Sequence, residues 1–544
     1  MKRGFCLSVC VDFFDELILG SYDRARIAAL FALFRDAGVR RVYWIYTHRF
    51  ADGSWARCPW AGICENAAVT QGQIGEFLPA AVSIAHELGM EIYAVYKPFD
   101  LAHLDSFPFG SEGARKFGIG LQSLSGELYW GLNTLTPYAH MRMTRRSDDL
   151  PADLPQRRIA RIRFVGRDDS PTRLTPEHLT LTLSRDNGKY QRYDGPLTFR
   201  DAVESGRRVV TLDGLRIDEP FVAVHTPFRD EGATLRNQVG QLVQVQDDLG
   251  RPMPVTLGLV SRDDLHRAHL SNHTGLTLWS EKPTEGYQFN MPDFQAPERP
   301  MAAVDNRRGY LAIARGKERH IAGALAPAFE AVHDLWLSHI RDCLDAGVDG
   351  VDLRVAQHNR CLAWDEYGYE QPILNEYQRR HGTSDPARMD RGKQEAILAE
   401  RYTAFYQKAA ALIRSRGKRV QLHVNLLGAR YMGMTWDWPG WIEQGLADEI
   451  TLKDVWPGDR EKLALILPHA QSRGIALHTC PWLVDQKDAD LRATLPDRLR
   501  AAAAGSEEQG FIAYESASIA AIEADGKPRM FLPSVLEALR ACGG

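Results

Sequence analysis

An α/β barrel of eight strand–helix repeats, interrupted by an all-β insertion, is the fold this sequence predicts, and three observations predict it. Short apolar runs of strand length alternate with helix-period segments in both flanks of the chain. Between them, over residues 149–268, the helical period vanishes and short alternating runs take its place. Across the two flanks the strand candidates number eight, beginning near residues 5, 41, 91, 349, 419, 449, 475 and 511. Eight β-α repeats close into a (β/α)8 TIM barrel. An open doubly wound sheet would ask for a glycine-rich phosphate loop. No strand is followed by one, and the first turn, Asp12-Phe13-Phe14-Asp15-Glu16, is acidic and would repel a phosphate.

Residues 5–12 read as the first strand and 21–37 as an amphipathic helix with a Ser21 cap, stopped by Gly38. Residues 41–48 and 91–97 are the next two strands, with a helix at 73–88 between them. Three β-α units in quick succession mean parallel neighbours, because such crossovers are right-handed. In the insertion, runs at 159–165, 179–184, 209–212, 221–225 and 242–245 are separated by turns such as Asp186-Asn187-Gly188 and Asp213-Gly214. These predict a small antiparallel β-sandwich at 149–268, splitting the barrel into 1–148 and 269–544. Helices at 328–346, 393–416, 441–446, 460–473 and 497–504 then alternate with the remaining strands.

Lys and Arg total 66 against 70 Asp and Glu, a formal charge of −4, and the basic residues are scattered. That balance offers no electrostatic case for nucleic acid or an anionic membrane. No apolar run reaches the roughly 18 residues of a membrane span. The eight cysteines sit mostly in apolar contexts and show no paired zinc spacing, so they read as reduced core residues. The N-terminal segment lacks a small-residue cleavage site and carries Asp12 and Asp15 early, so the expected compartment is cytoplasmic unless a leader is missing.

The stretch 346–371, AGVDGVDLRVAQHNRCLAWDEYGYEQ, is the densest in chemistry. Val351, Leu353 and Val355 alternate with Asp352 and Arg354, so one face of this strand is polar and points into the barrel. The strand ends present Asp12; Trp44 and Tyr46; Lys97; Asp352, Arg354, His358, Trp364 and Glu366; His423 and Asn425; Lys453, Asp454 and Trp456; His478; and Glu515. No serine stands in a G-x-S-x-G elbow. Carboxylates ringed by aromatics are what glycosidic cleavage needs: one group protonates the leaving oxygen, another attacks C1 or activates water, and flat sugar faces pack on rings. The histidines are not at metal-ligand spacing, so neither a metal nor a cofactor is expected.

GVDGVDLRV, with YGYEQPILNEYQRRHG after it and GYLAIARGKERH before it, resembles the glycosyl-hydrolase-like (β/α)8 families, which are similar to the α-galactosidase and α-amylase superfamilies. That resemblance implies a retaining glycoside hydrolase with an Asp nucleophile ending the fourth strand, matched by Asp352, and an acid/base ending the sixth, matched by Asp454. Glu515 is the other acid/base candidate. The remaining strand-end residues would bind an oligo- or polysaccharide or glycoside, with Arg354, His358, Asn425 and Lys97 holding hydroxyls or an acidic sugar group. A buried Asp352–Arg354 pair is the structural alternative for the fourth strand. An inactive glycan-binding barrel and a metal-dependent sugar isomerase or amidohydrolase are the functional ones.

Overall fold

The computed structural model describes residues 4–17, 20–48, 61–99, 136–165, 169, 171–172, 174–185, 191–226, 243–260, 309–316, 320–355, 366–425, 430–431, 434–484, 486–505 and 507–543. Eight strands form a closed barrel: β1 (Cys6–Val11), β2 (Arg41–Ile45), β3 (Glu91–Tyr96), β4 (Gly350–Arg354), β5 (Arg419–Asn425), β6 (Glu449–Lys453), β7 (Ala476–Cys480) and β8 (Gly510–Tyr514). Each pairs in parallel with the next, and β8 returns to β1 with Cys10 opposite Tyr514. That closure sets the two chain ends of the barrel side by side.

Helices cover the outside. They include α1 (Arg24–Arg35), α2 (Phe77–Glu87), α3 (Glu330–Asp345), α4 (Arg391–Ser415), α5 (Trp438–Glu443), α6 (Arg460–Arg473), α7 (Asp488–Ala504) and α8 (Pro533–Gly543). Asp23, not Ser21, caps α1, its side chain accepting from the Arg26 N–H. α7 begins well before the expected residue 497, because Pro496 lies inside the helix instead of starting it. Leu30, Phe34 and Ile340 are wholly buried between helices and barrel. Each such side chain contributes about 2 kcal/mol through the apolar surface removed from water. Among the described residues no helix is long and apolar enough to cross a membrane.

The insertion falls between β3 and β4 and consists of two antiparallel sheets over a core of their own, which includes Ile162, Phe164, Val210, Val222 and Ile313. The four-stranded sheet runs Val243–Asp247, Ile159–Val165, Arg207–Asp213, Thr198–Glu204. The five-stranded sheet includes Gly309–Arg315, paired to Val255–Val260, so this module takes in a strand C-terminal to residue 268. Its alternating pattern lies in chain the sequence reading assigned to the barrel, where the neighbouring polar stretch hides it.

Glycine is required where β3 and β4 meet. A Cβ on Gly350 would stand 2.5 Å from the Tyr93 ring, which is turned inward and carries the Arg41 guanidinium 4.1 Å above it. Gly510 plays the same part for the ring of His478. Both glycines make room for bulky polar groups inside the barrel.

Candidate active site

Beneath the mouth, the interior is crossed by one continuous polar ladder. Arg41 pairs with Glu449 and donates to the Tyr43 hydroxyl at 3.0 Å. Tyr43 donates to Gln421 Oε1 at 2.8 Å, Gln421 to the Thr451 hydroxyl at 2.6 Å, and Thr451 to Asp352 Oδ2 at 2.7 Å. His423 donates from Nδ1 to Asp352 Oδ1 at 2.9 Å. Burial pushes the imidazole pKa down, Asp352 opposing it, so His423 is neutral and Nδ1 carries its proton. Glu449 also takes His478 at 3.4 Å, and with Arg41 beside it its carboxyl lies well below the usual range. Five strands, β2, β4, β5, β6 and β7, are tied together in this way.

At the C-terminal strand ends the mouth has an acidic side, where β8 meets β1. Asp12 ends β1, Asp15 and Glu16 lie on the helical turn Phe13–Glu16 that follows, and Glu515 ends β8. Ligating oxygens of Asp12, Asp15 and Glu515 lie within 4.8 Å of one another, and all four carboxyl groups are buried. Burial raises the Asp15 pKa well above the carboxylate range, the Glu515 charge and a hydrogen bond to it add to that, and Lys97 opposes. The protonated form of Asp15 is thereby favoured. Glu16 accepts from the Ser516 hydroxyl at 2.5 Å and from Tyr22 at 3.2 Å, yet burial lifts it to about 8. Glu515 Oε1 accepts no hydrogen bond among the described residues.

The raised Glu16 value fixes the sign of a stability effect. Its native pKa lies above the unfolded one, so its contribution is complete below about 4.5 and is lost as pH rises through about 8. The melting temperature of the Glu16→Gln protein should accordingly fall less between pH 5 and pH 8 than that of the wild type. Parallel falls would mean Glu16 ionises normally in the folded state.

Opposite, the mouth is basic. Arg354 at the end of β4 donates to the Tyr514 hydroxyl at 3.3 Å, and Lys453 at the end of β6 places Nζ 3.2 Å from the centroid of the same ring. Trp482 packs on Tyr514 at 5.2 Å and lies 4.8 Å from Lys453 Nζ. Burial pushes the Lys453 pKa down. Two buried thiols, Cys10 and Cys480, adjoin this group, and burial pushes both up, Cys480 to about 11.

The structure sorts the residues expected from the sequence. Asp12, Lys97, Arg354, Asn425, Lys453, Asp454 and Glu515 stand at strand ends, with His423 one pleat lower on β5 and His478 deeper in the ladder. Asp352 is 1 % exposed and its carboxylate is taken up by His423 and Thr451, a position that braces the barrel. Among the described residues it makes no ion pair with Arg354, whose guanidinium turns to Tyr514. Asp454 has φ 59°, lies 3.9 Å from Lys453 Nζ, and is outside the carboxyl cluster.

Four expected binding residues face elsewhere. Trp44 packs on Phe13 and Phe31 between barrel and helices, because on β2 it is Tyr43 and Ile45 that turn inward. Tyr46 follows Trp44 outward and donates to Asp342 of α3 at 3.2 Å. Glu366 accepts from Arg145 at 2.7 Å, tying the loop after β4 to the segment that precedes the sandwich. Trp456 packs against the outer core beneath Arg498 of α7. His358 and Trp364 lie outside the described residues. Asp15, Glu16 and Tyr514 join the site from outside the strand-end candidates. The acidic turn after β1 was the available signal for the first two, since a closed barrel must bring it to Glu515.

No family model matches the chain, and no curated protein matches it. Among solved structures, the chain is similar to the catalytic domain of a β-amylase from Paenibacillus polymyxa at 8% identity, over 100% of both chains, with a TM-score of 0.36. Mandelate racemase/muconate lactonizing enzymes from Pseudovibrio sp. and Polaromonas sp. align at 12% and 11% identity and TM-scores of 0.16 and 0.15. They cover 70% and 69% of this chain and 97% and 94% of their own. These likenesses are too slight to carry a functional argument. The closed parallel barrel rests on its own strand pairing.

Proposed function

We propose that this barrel is a glycoside hydrolase whose reacting groups are Asp15 and Glu515. The observation that carries this reading is the buried carboxyl cluster at the β1–β8 seam, in which one carboxyl is held protonated beside others within 4.8 Å. Glycosidic cleavage needs one carboxylic acid and one carboxylate on either side of the scissile bond. A pair this close, Asp15 hydrogen-bonded to Glu515, lies nearer the roughly 5 to 5.5 Å of a retaining pair than the roughly 6.5 to 9.5 Å of an inverting one, and it must part to admit the glycosidic oxygen. Glu515 then attacks C1 while the Asp15 proton passes to the leaving oxygen, forming a glycosyl ester. Asp15, now a carboxylate, takes a proton from water, whose oxygen displaces Glu515 and restores both groups. Asp12 and Lys97 set the charge around the pair, and His423 and Asn425 bind hydroxyls. The nucleophile is thus moved from Asp352, whose oxygens are already engaged, and the acid/base from Asp454.

The experiment is a screen of aryl glycosides at pH 5 to 7, with and without a chelator. Release of aryl alcohol that survives chelation supports this reading. Turnover that requires a divalent ion would favour the second reading, a metal-dependent enzyme, since the same three carboxylates are spaced to hold one.

A further inference from the structure

We propose that the basic side of the mouth is a subsite for an anionic group on the sugar, so that the substrate is an acidic glycoside, a uronide or a sulfated sugar. The word glycoside rests on the reading above, and the anionic group rests on separate residues. Arg354 and Lys453 are both at least nine-tenths buried, 5 % and 3 % exposed. Lys453 Nζ and Arg354 Nε have no hydrogen-bond acceptor among the described residues. Among the described residues the hydrogen bond Arg354 makes goes to a neutral phenol, and the carboxylate nearest Lys453, that of Asp454, is 3.9 Å away and 27% exposed. Among the described residues two cations, at 3.2 Å and 5.1 Å from the centroid of one Tyr514 ring, therefore sit buried without a close anion between them.

Buried charge is costly unless paired, and the ring quadrupole offsets only part of that cost. The missing partner is an anion. A carboxylate or sulfate suits it, because a guanidinium offers such groups a planar fork and the ammonium adds a point charge. His423 supplies the third contact. Its Nδ1 proton is committed to Asp352, while Nε2 is buried and without a partner, an acceptor for a hydroxyl adjoining the anion. β4, β5 and β6 carry these three groups, and the two cations meet over Tyr514 of β8, next in sequence to Glu515 of the carboxyl pair. A sugar in the mouth would place its anomeric carbon at the carboxyl pair and its anionic substituent at the cations.

Calorimetric titration of the full chain tests this without any turnover. The probes are matched pairs at low ionic strength: methyl glucuronide with methyl glucoside, methyl galacturonide with methyl galactoside, and galactose 6-sulfate with galactose. In at least one pair the anionic member should bind about tenfold tighter or more, the scale of one charge-assisted contact. Whether a uronide or the sulfate wins separates the two anion sources. In Arg354→Met and in Lys453→Met the preference should fall to about twofold or less, with Arg354→Lys intermediate. Equal affinity within every pair, or a preference that survives both methionine variants, overturns the inference. The wild-type comparison decides the matter even where a variant does not fold. Acid preference without hydrolysis of any glycoside would sink the glycosidase reading and leave this subsite standing.

Discussion

Asp15→Asn should reduce hydrolysis of an aryl glycoside by about 10²- to 10⁴-fold, the range general acid–base catalysis supplies, while the protein unfolds no more easily than the wild type. The two halves of that expectation come from one arrangement. In the native protein Asp15 is buried against Glu515, with Asp12 beside both. Replacing it by a neutral amide of equal size keeps the group uncharged and able to donate to Glu515, so the fold loses little while the transferable proton is gone. Loss should be smaller for substrates with good leaving groups, because these need less protonation. A leaving-group-independent loss would point to Asp15 as the nucleophile instead.

Asp352→Ala should behave in the opposite way. It takes the central acceptor out of the ladder, leaving the His423 ring and the Thr451 hydroxyl without their partner in a dry interior. Leaving these two buried neutral donors unsatisfied costs about 1 to 3 kcal/mol each. Urea denaturation should show the midpoint fall by that amount, and Asp352→Asn, which keeps one acceptor, should lose less. Turnover abolished with the midpoint unchanged would restore Asp352 as the nucleophile and set aside the bracing role.

The contrast shows what this sequence discloses. β5 and β6 were legible to the residue, as RVQLHVN and EITLK, because turns and helices flank them. The inward direction of Asp352 and Arg354 was legible too, since two charges alternating with Val351 and Leu353 leave one polar face. In β2, RVYWI, every residue is buried, and the polar mark of the inner face is Arg41 at the strand's foot, away from the mouth, followed by aromatic residues on both faces. Trp44 was consequently assigned to the wrong side. Asp15 stands outside the sequence-derived candidates for another reason: it lies 500 residues from Glu515, itself a candidate, and only the closure of β8 onto β1 joins them. Counting eight strands implied that closure. Family resemblance drew attention to β4 and β6, where the structure puts a brace and a cation.

The most direct test is to trap the glycosyl ester. The protein would be incubated with an activated 2-deoxy-2-fluoro glycoside of whichever sugar it turns over, digested, and its peptides weighed. One added glycosyl mass on the peptide containing Glu515, with activity lost in step, is the result this mechanism requires. The same mass on the peptide of Asp352, or steady turnover with no adduct on any carboxylate, would contradict it.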